Sequence, residues 1–336
     1  VVALGLPAGP RLQERAREAR MAALLDACAK AGAPWLLLGH HRADQAETLL
    51  MRAASGSGVA GLAGMAPARG AGAAMILRPL LGVPPARLEA VLAEAGLAPL
   101  RDPSNADPRF FRARLRGVLG DPDGEGAAVA ALARAAAGLG AWRAGLAEAV
   151  ADRLAAAAWL HEAGFARLDL GRLGRDAVAR AALGALLRVI GGRRFAPPEA
   201  AIGRLLETGA GTLGGTVLRR DGLLLREAAA LAAAVPAVAG AVWDGRFRLA
   251  AAAAAGFALG AAGEGARALP RPAWLPGAVV PTLPALHREG MLAVMPGLAY
   301  PDRQTAALWP LRFAPVAGSV VEDAAGRMEA GREHTI

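Results

Sequence analysis

The chain has 336 residues and a formal charge of +9, from 38 Lys and Arg against 29 Asp and Glu. Its single cysteine, Cys28, excludes an internal disulfide framework and a cysteine metal centre and fits a reducing compartment. The positive excess points to a polyanionic partner, although only Lys30 among the basic residues is lysine, and a GC-rich genome gives the same Arg, Ala and Gly skew.

Residues 12–31 predict a helix. Leu12, Ala16, Ala19, Ala22 and Leu25 form an apolar stripe with arginines between them, and Ala33-Pro34 stops it. WLLLGH, from Trp35, is a short continuous apolar run, as expected of a buried parallel strand. A second helix runs from Asp44 to about Ala54, with Gly56 or Gly58 to end it. Ala74–Leu81 predicts a strand, and Pro84 or Pro85 opens a helix closed by Gly96. This alternation is the signature of an α/β layer.

From Gly126 to Val189 the pattern reads as helical, rich in Ala and Leu. The texture changes at Gly191. Gly211–Glu227 predicts two strands around an Arg220-Asp221-Gly222 turn, and WDGRFRLAAA and REGMLAVMPGLAY predict further turns between short strands. The last twenty or so residues read as a loose tail. The expected division is 1–120, an α/β domain; 121–205, a helical module; and 206–336, a smaller β-containing domain. Ala228–Trp243 and Leu249–Gly263 are the longest uncharged stretches, and both fall short of the roughly 20 apolar residues of a spanning helix. No basic-then-apolar leader opens the chain, so the expected location is cytoplasmic, without membrane.

The first dense cluster is His40, His41, Asp44, Gln45, Glu47 and Thr48, where a strand ends and a helix begins. Ligands of parallel sheets bind at such ends. One reading is a capping box, with Asp44 opening the helix and Glu47 returning the bond. The other is a binding site. Asp44 and Thr48, at i and i+4, share a face and suit an amino group or a hydrated magnesium ion. Adjacent histidines on a strand end point opposite ways, which speaks against a metal site. Gly56-Ser57-Gly58 reads either as a helix end and turn or as a phosphate loop. The second cluster runs from Asp102 to Arg116. Asp-Pro-Ser-Asn is a strong turn signal. Arg112, Arg114 and Arg116 read as a solvated basic face or as a phosphate-contacting edge.

These pieces together resemble the bacterial tRNA(Ile)-lysidine synthetases. The resemblance rests on Ala16-Arg17-Glu18-Ala19-Arg20, Gly39-His40-His41, Asp44-Gln45-Ala46-Glu47-Thr48, Arg52, Gly56-Ser57-Gly58, Gly61-Leu62-Ala63-Gly64-Met65 and Arg78-Pro79-Leu80-Leu81. Asp102-Pro103-Ser104-Asn105 comes next, with Asp107, Phe110, Arg112, Arg114 and Arg116. Gly211–Gly215 and Trp243–Phe247 are similar to the C-terminal region of alphaproteobacterial members. Three positions depart: Ala43 stands for an Asp, Ser55 for an Arg and Met21 for a Tyr. The family's ATP loop, Ser-Gly-Gly-x-Asp-Ser, does not occur in these 336 residues. The chain therefore looks like a member lacking its N-terminal part.

The resemblance implies the C-terminal part of a Rossmann-like PP-loop ATPase domain, followed by a helical tRNA-binding module and an α+β C-terminal domain. It implies a ligase that uses ATP with Mg2+ to adenylate C2 of the wobble cytidine of tRNA(Ile) with a CAU anticodon. L-lysine is then attached there, giving lysidine, AMP and pyrophosphate. It casts His40, His41 and Asp44 as catalytic, and Asp44, Gln45, Glu47 and Thr48 as binding lysine or cytidine. Arg17, Arg20, Gly56, Ser57 and Gly58 would hold ATP, and Arg52, Arg78, Arg112, Arg114 and Arg116 would hold tRNA. No metal ligand is expected among them, and a monomer and a homodimer are both compatible with the sequence. Without the ATP loop this chain alone is expected to be inactive. The rival is a non-catalytic tRNA-binding paralogue. A tRNA-thiolating enzyme is disfavoured, because Cys28 is alone and falls on a helical pattern.

Overall fold

The computed structural model describes residues 12–71, 74–100, 107, 109–252 and 255–316, with Gly5, Gly9 and Gly318. The Asp102–Asn105 turn and the C-terminal tail expected from the sequence lie outside the described residues. The chain divides into two compact units, with the boundary between Ala147 and Glu148.

The first unit contains α1 (Leu12–Ala31), β1 (Trp35–Leu37), α2 (Arg42–Ala54), α3 (Val59–Leu62), β2 (Ala68–Ala71), β3 (Ala74–Leu77), α4 (Pro85–Glu94), α5 (Phe111–Leu119) and the start of α6 (Ala127–Ala157). The sheet order is β1-β3-β2, with β1 parallel to β3 and β2 antiparallel to it. α1, α2 and α4 end in the same way. A glycine at positive φ (Gly32, Gly56, Gly96) succeeds the last turn, and the next two amides fold back onto helix carbonyls. The strand from Ala74 is shorter than expected. It stops at Leu77 because Arg78 N–H turns to Pro67 O and Pro79 has no N–H to continue a ladder.

β1 also departs from expectation. It is parallel as predicted, but Trp35 and Leu37 are 56% and 63% exposed rather than buried. Among the described residues β1 pairs with β3 alone. The buried centre of the unit is instead small. Ala43, Ala46 and Val129 pack with Leu119 and Leu132, so α2 is clasped between α5 and α6 through short side chains.

The second unit contains the end of α6, β4 (Ala158–His161), β5 (Phe165–Leu168), α7 (Leu170–Leu173), α8 (Ala177–Ile190), α9 (Glu199–Thr208), β6 (Gly211–Leu213), β7 (Thr216–Leu218) and β8 (Leu223–Arg226). Then come β9 (Val235–Pro236), β10 (Val242–Trp243), β11 (Phe247–Leu249), β12 (Phe257–Ala261), β13 (Pro284–Arg288), β14 (Met291–Val294), α10 (Arg303–Ala307) and β15 (Leu311–Phe313). An antiparallel sheet, β4-β5-β8-β7-β6, is covered by α8, which buries Leu183, Leu186, Leu187 and Ile190. Asp176 caps α8 by accepting from Ala179 N–H at 2.7 Å. The remaining strands form the sheets β14-β13-β12-β9 and β10-β11-β15. Trp243, Phe247, Leu249, Leu259 and Leu286 fill the space they enclose.

Two sequence expectations meet a different chain path here. The helical stretch expected to reach Val189 is interrupted after Ala157 by the β4–β5 hairpin, closed over Glu162–Gly164. The hairpin breaks the alanine-rich pattern with Trp159, His161 and Phe165, which favour a pleated surface. The division expected at 205/206 falls inside α9, and β5 pairs with β8 across it, so no boundary stands at that point. The turn at Arg220–Gly222 joins β7 to β8 as expected, and a second turn at Gly214-Gly215 adds β6.

Candidate anion site at the head of the second helix

α2 begins earlier than the sequence suggests. His41 is its N-cap, and Asp44 is the third helical residue rather than the first. The Asp44 carboxylate accepts from His41 N–H at 3.0 Å, and His41 Nε2 lies 3.5 Å from the same oxygen. Asp44 therefore does close a cap, but it does so backwards onto His41. Glu47 takes no part in it. Adjacent histidines were expected to diverge, yet both lie in the field of Asp44, because the chain has left β1 before it reaches them.

Glu47 is 1% exposed and grips α5. Arg116 Nε donates to Oε1 at 2.5 Å, and Arg112 Nε lies 3.1 Å from Oε2. Arg112 also donates to Thr48 Oγ1 at 3.2 Å, and Thr48 in turn donates to Asp44 O. Arg112 and Arg116, four residues apart, share one face of α5, so the helix docks onto α2 through a two-armed ion pair. Burial disfavours the charge on Arg116, but its bond to Glu47 prevails and raises its pKa above the ordinary value. Arg114 falls on another face. It donates to Arg109 O and stands over the Phe111 ring.

Around this pair lies an excess of positive charge. Burial lowers the pKa of Arg17, and Arg112, Arg20 and Arg69 lower it further. Burial likewise lowers Arg78, with Arg69 and Arg17 adding to the effect. Arg78 Nη1 donates to Ala66 O, and its Nε has no partner among the described residues. Burial also depresses the pKa of the half-buried His40. Arg78, Arg17 and Arg112 add to that shift, and Asp44 opposes it. His40 Nδ1 has no hydrogen-bond partner among the described residues. Arg112 and Arg116 close on Glu47, and Arg116 approaches Asp44, while Arg17, Arg20, Arg69 and Arg78 add mutually repelling positive charge. Cations packed against cations in a partly desolvated setting form a site for an anion with several charges. Arg69 belongs to it but was missed in the sequence. It sits in a short strand with no motif around it, and only the β2–β3 pairing brings it in.

Other expected site residues do work elsewhere. Gln45 exchanges two bonds with the Met65 backbone, Nε2 to O at 2.9 Å and N–H to Oε1 at 2.7 Å, and so pins the loop before β2. Arg52 donates to Gly61 O and Gly64 O, both at 2.6 Å. Gly56-Ser57-Gly58 lies at the far end of α2, roughly 20 Å from its head. The amides of Gly56 and Ser57 bond Ala53 O and Arg52 O, so these two are committed to the helix end rather than open to phosphate. Among the described residues, no group of three His, Cys, Asp or Glu side chains is placed to hold a metal ion. Asp44 and Glu47 are engaged by His41, Arg112 and Arg116 and do not fit a magnesium ion.

Residues 5–121 match the model of the PP-loop domain family. The chain is 47% identical to a tRNA(Ile)-lysidine synthase of Novosphingobium aromaticivorans over 144 residues, 40% of this chain and 44% of that protein. It is 48% identical to one of Methylobacterium sp. (strain 4-46) over 176 residues, 52% of this chain and 48% of that protein. With one of Ralstonia nicotianae the identity is 43% over 199 residues, 58% of this chain and 42% of that protein. Each match spans less than half of the relative's own length. No helix among the described residues is long and apolar enough to cross a membrane. The chain thus carries a PP-loop domain and resembles the bacterial tRNA(Ile)-lysidine synthases through that domain and part of the second unit.

Proposed function

We propose that the chain serves a ligase that joins lysine to C2 of the wobble cytidine in the CAU anticodon of tRNA(Ile) at the expense of ATP. The observation that carries this reading is the cationic cluster at the head of α2, where Arg112 and Arg116 close on the buried Glu47, Arg116 also approaches Asp44, and Arg17 and Arg78 add positive charge around His40. Such a site suits a substrate that brings phosphates of its own, and adenylation of an RNA base brings both ATP and a polynucleotide.

The chemistry is a two-step exchange. The C2 oxygen of cytosine attacks the α-phosphorus of ATP, and pyrophosphate leaves with the bonding pair. The amine of lysine then attacks C2, the C–O bond breaks, and AMP leaves. Arg17, Arg69 and Arg78 supply fixed positive charge for the phosphates. His40, held neutral by burial and by its arginine neighbours, suits acceptance of the proton that the attacking amine loses. Asp44 holds His41 through its backbone N–H and its ring. Glu47, with both oxygens on arginines, acts as a positioning residue for Arg112 and Arg116 rather than as a ligand of lysine. Unpaired anticodon bases are open to this kind of recognition.

The test is lysine incorporation into tRNA(Ile). Arg17→Ala and Arg20→Ala should lower incorporation at least tenfold while shifting the unfolding midpoint little. Asp44→Ala should lower incorporation by far more than the roughly 1 kcal/mol that a lost cap explains. A deficit that tracks the melting temperature across all three variants would defeat the proposal.

A second reading is a tRNA-binding relative without catalysis. Ala43 favours it. Where the resemblance expects a carboxylate, Ala43 packs into the Ala46–Val129 core. Retained tRNA binding with no lysine incorporation would decide for it.

A further inference from the structure

His161 ends β4 with its ring stacked against two others, Phe165 at 5.1 Å and Trp274 at 4.3 Å between centres. Trp159 stands edge-on to it at 5.0 Å. We infer that this imidazole is a proton-sensitive clasp: neutral, it ties the loop 269–279 to the β4–β5 hairpin, and protonation releases that loop. The clasp is independent of the chemistry at the head of α2.

The hairpin turn is built around the neutral ring. Ala163 N–H donates to His161 Nδ1 at 2.9 Å. Gly164 N–H donates to His161 O at 2.8 Å, and Gly164, at φ +76, closes the turn. An imidazole that accepts at Nδ1 carries its proton on Nε2. The cationic ring carries a proton on both nitrogens. Nδ1–H would then confront Ala163 N–H, and a half-buried amide would lose its acceptor. The ring has to turn out of its stack to relieve this.

The loop is rooted beside the clasp rather than by it. Leu275 and Val279 are buried in the same core as Phe165. Turns from Leu275 N–H to Pro272 O and from Val279 N–H to Pro276 O stiffen the segment. Trp274 lies outside that core and is 46% exposed, and among the described residues its one aromatic partner is His161. Loss of the stack therefore frees Trp274 while Leu275 keeps the loop attached. The change is a local release and leaves the unit folded.

Few charges bear on the ring. Glu162, next in the chain, favours the cation. Arg167 of β5 is exposed, Arg271 of the loop donates to Leu275 O, and Arg246, which approaches Gly164, is held by Asp244. Burial outweighs Glu162 and lowers the pKa of His161 below its ordinary value. A released ring regains that ordinary value, so proton uptake favours release, and the loop loosens as pH falls below about 6.5. Attraction of an imidazolium for the Trp274 face opposes release, but it cannot replace the acceptor that Ala163 N–H loses.

The experiment follows acrylamide quenching of Trp274 in the whole 336-residue chain, taken as the difference from a Trp274→Phe counterpart. Between about pH 7.5 and about pH 5 the quenching should rise at least about twofold, with constant far-UV circular dichroism. The midpoint should coincide with the His161 titration followed by imidazole proton shifts. His161→Asn keeps an oxygen that can accept from Ala163 N–H but cannot take up the proton, and His161→Phe keeps a ring to stack. Neither should show the rise. A flat wild-type profile, a midpoint apart from that of the imidazole, or a rise that survives in either folded variant would overturn the clasp. So would a rise accompanied by loss of the far-UV signal, which would be unfolding rather than release.

Discussion

Both units hold a carboxylate between two arginines, and the two arrangements differ in how far water reaches the cations. Around Glu47 the side chains of Arg112 and Arg116 are 33% and 37% exposed. Around Asp244 those of Arg226 and Arg246 are 5% and 0% exposed. The first pair joins two helices and still offers part of each guanidinium to a ligand. The second is sealed into the junction of sheets and acts on the surface only through its field. The same three charges thus make a recruitable site in one place and a structural bolt in the other. Desolvation separates the two, since removing one partner of a sealed pair strands the others in low dielectric.

This difference in solvent access ranks the substitutions. Asp244→Asn should be the most damaging change, with about 3–5 kcal/mol lost in denaturant unfolding, because two sealed arginines would lose their counter-charge. Burial pushes the Asp244 carboxyl up, but the bonds and charges of Arg226 and Arg246 overcome this and hold its pKa below the ordinary value. Its contribution is therefore complete above the ordinary carboxylate range and is lost as pH falls through the lowered native value. Asp244→Asn should flatten the acid limb of the stability profile. An unchanged acid limb would show that the sealed cluster is not what acid breaks.

Glu47→Gln should cost less, about 1–3 kcal/mol, since water can rescue part of Arg112 and Arg116. It should also loosen tRNA binding by freeing α5. Equal losses for Glu47→Gln and Asp244→Asn would remove the distinction between the clusters.

His40 gives a smaller and pH-dependent effect. Its native pKa lies below the ordinary value, so the unfolded chain takes up the proton first as pH falls, and stability declines below about pH 6.5. A bound polyphosphate should reverse this by raising the His40 pKa, so its affinity should increase as pH falls. Following the imidazole proton shifts with and without ligand checks both signs. A His40 resonance indifferent to the ligand would place the anion elsewhere. Gly56→Ala should have the smallest consequence for function. Its φ of +67 makes the change cost about 1 kcal/mol of stability, with anion affinity unchanged. A parallel loss of affinity would restore the phosphate-loop reading of Gly56-Ser57-Gly58.

Much of the first unit was legible in one dimension. α1 runs over the predicted span, and Gly56 and Gly96 stand just past the ends of the helices they were expected to close, because periodicity and turn chemistry act within a few residues. The cluster at His40–Thr48 and the arginines of α5 were read as two separate groups, and the fold joins them through Glu47 and Thr48. Which oxygen each arginine takes was not legible, nor was the diversion of Gln45 to Met65 or of Arg52 to loop carbonyls. Those choices are made by groups 9 to 69 positions away in the chain. The β4–β5 hairpin was hidden for a related reason. Alanine-rich sequence is permissive, and only pairing with β8 makes the extended form the better one.

The sequence by itself determined the helix ends, the turns and the type of chemistry gathered at the head of α2, since each depends on local sterics and on side-chain identity. Tertiary structure alone decided which charges are sealed and which remain open. Burial of a charge is set by what packs over it, and here that cover comes from segments far apart along the chain.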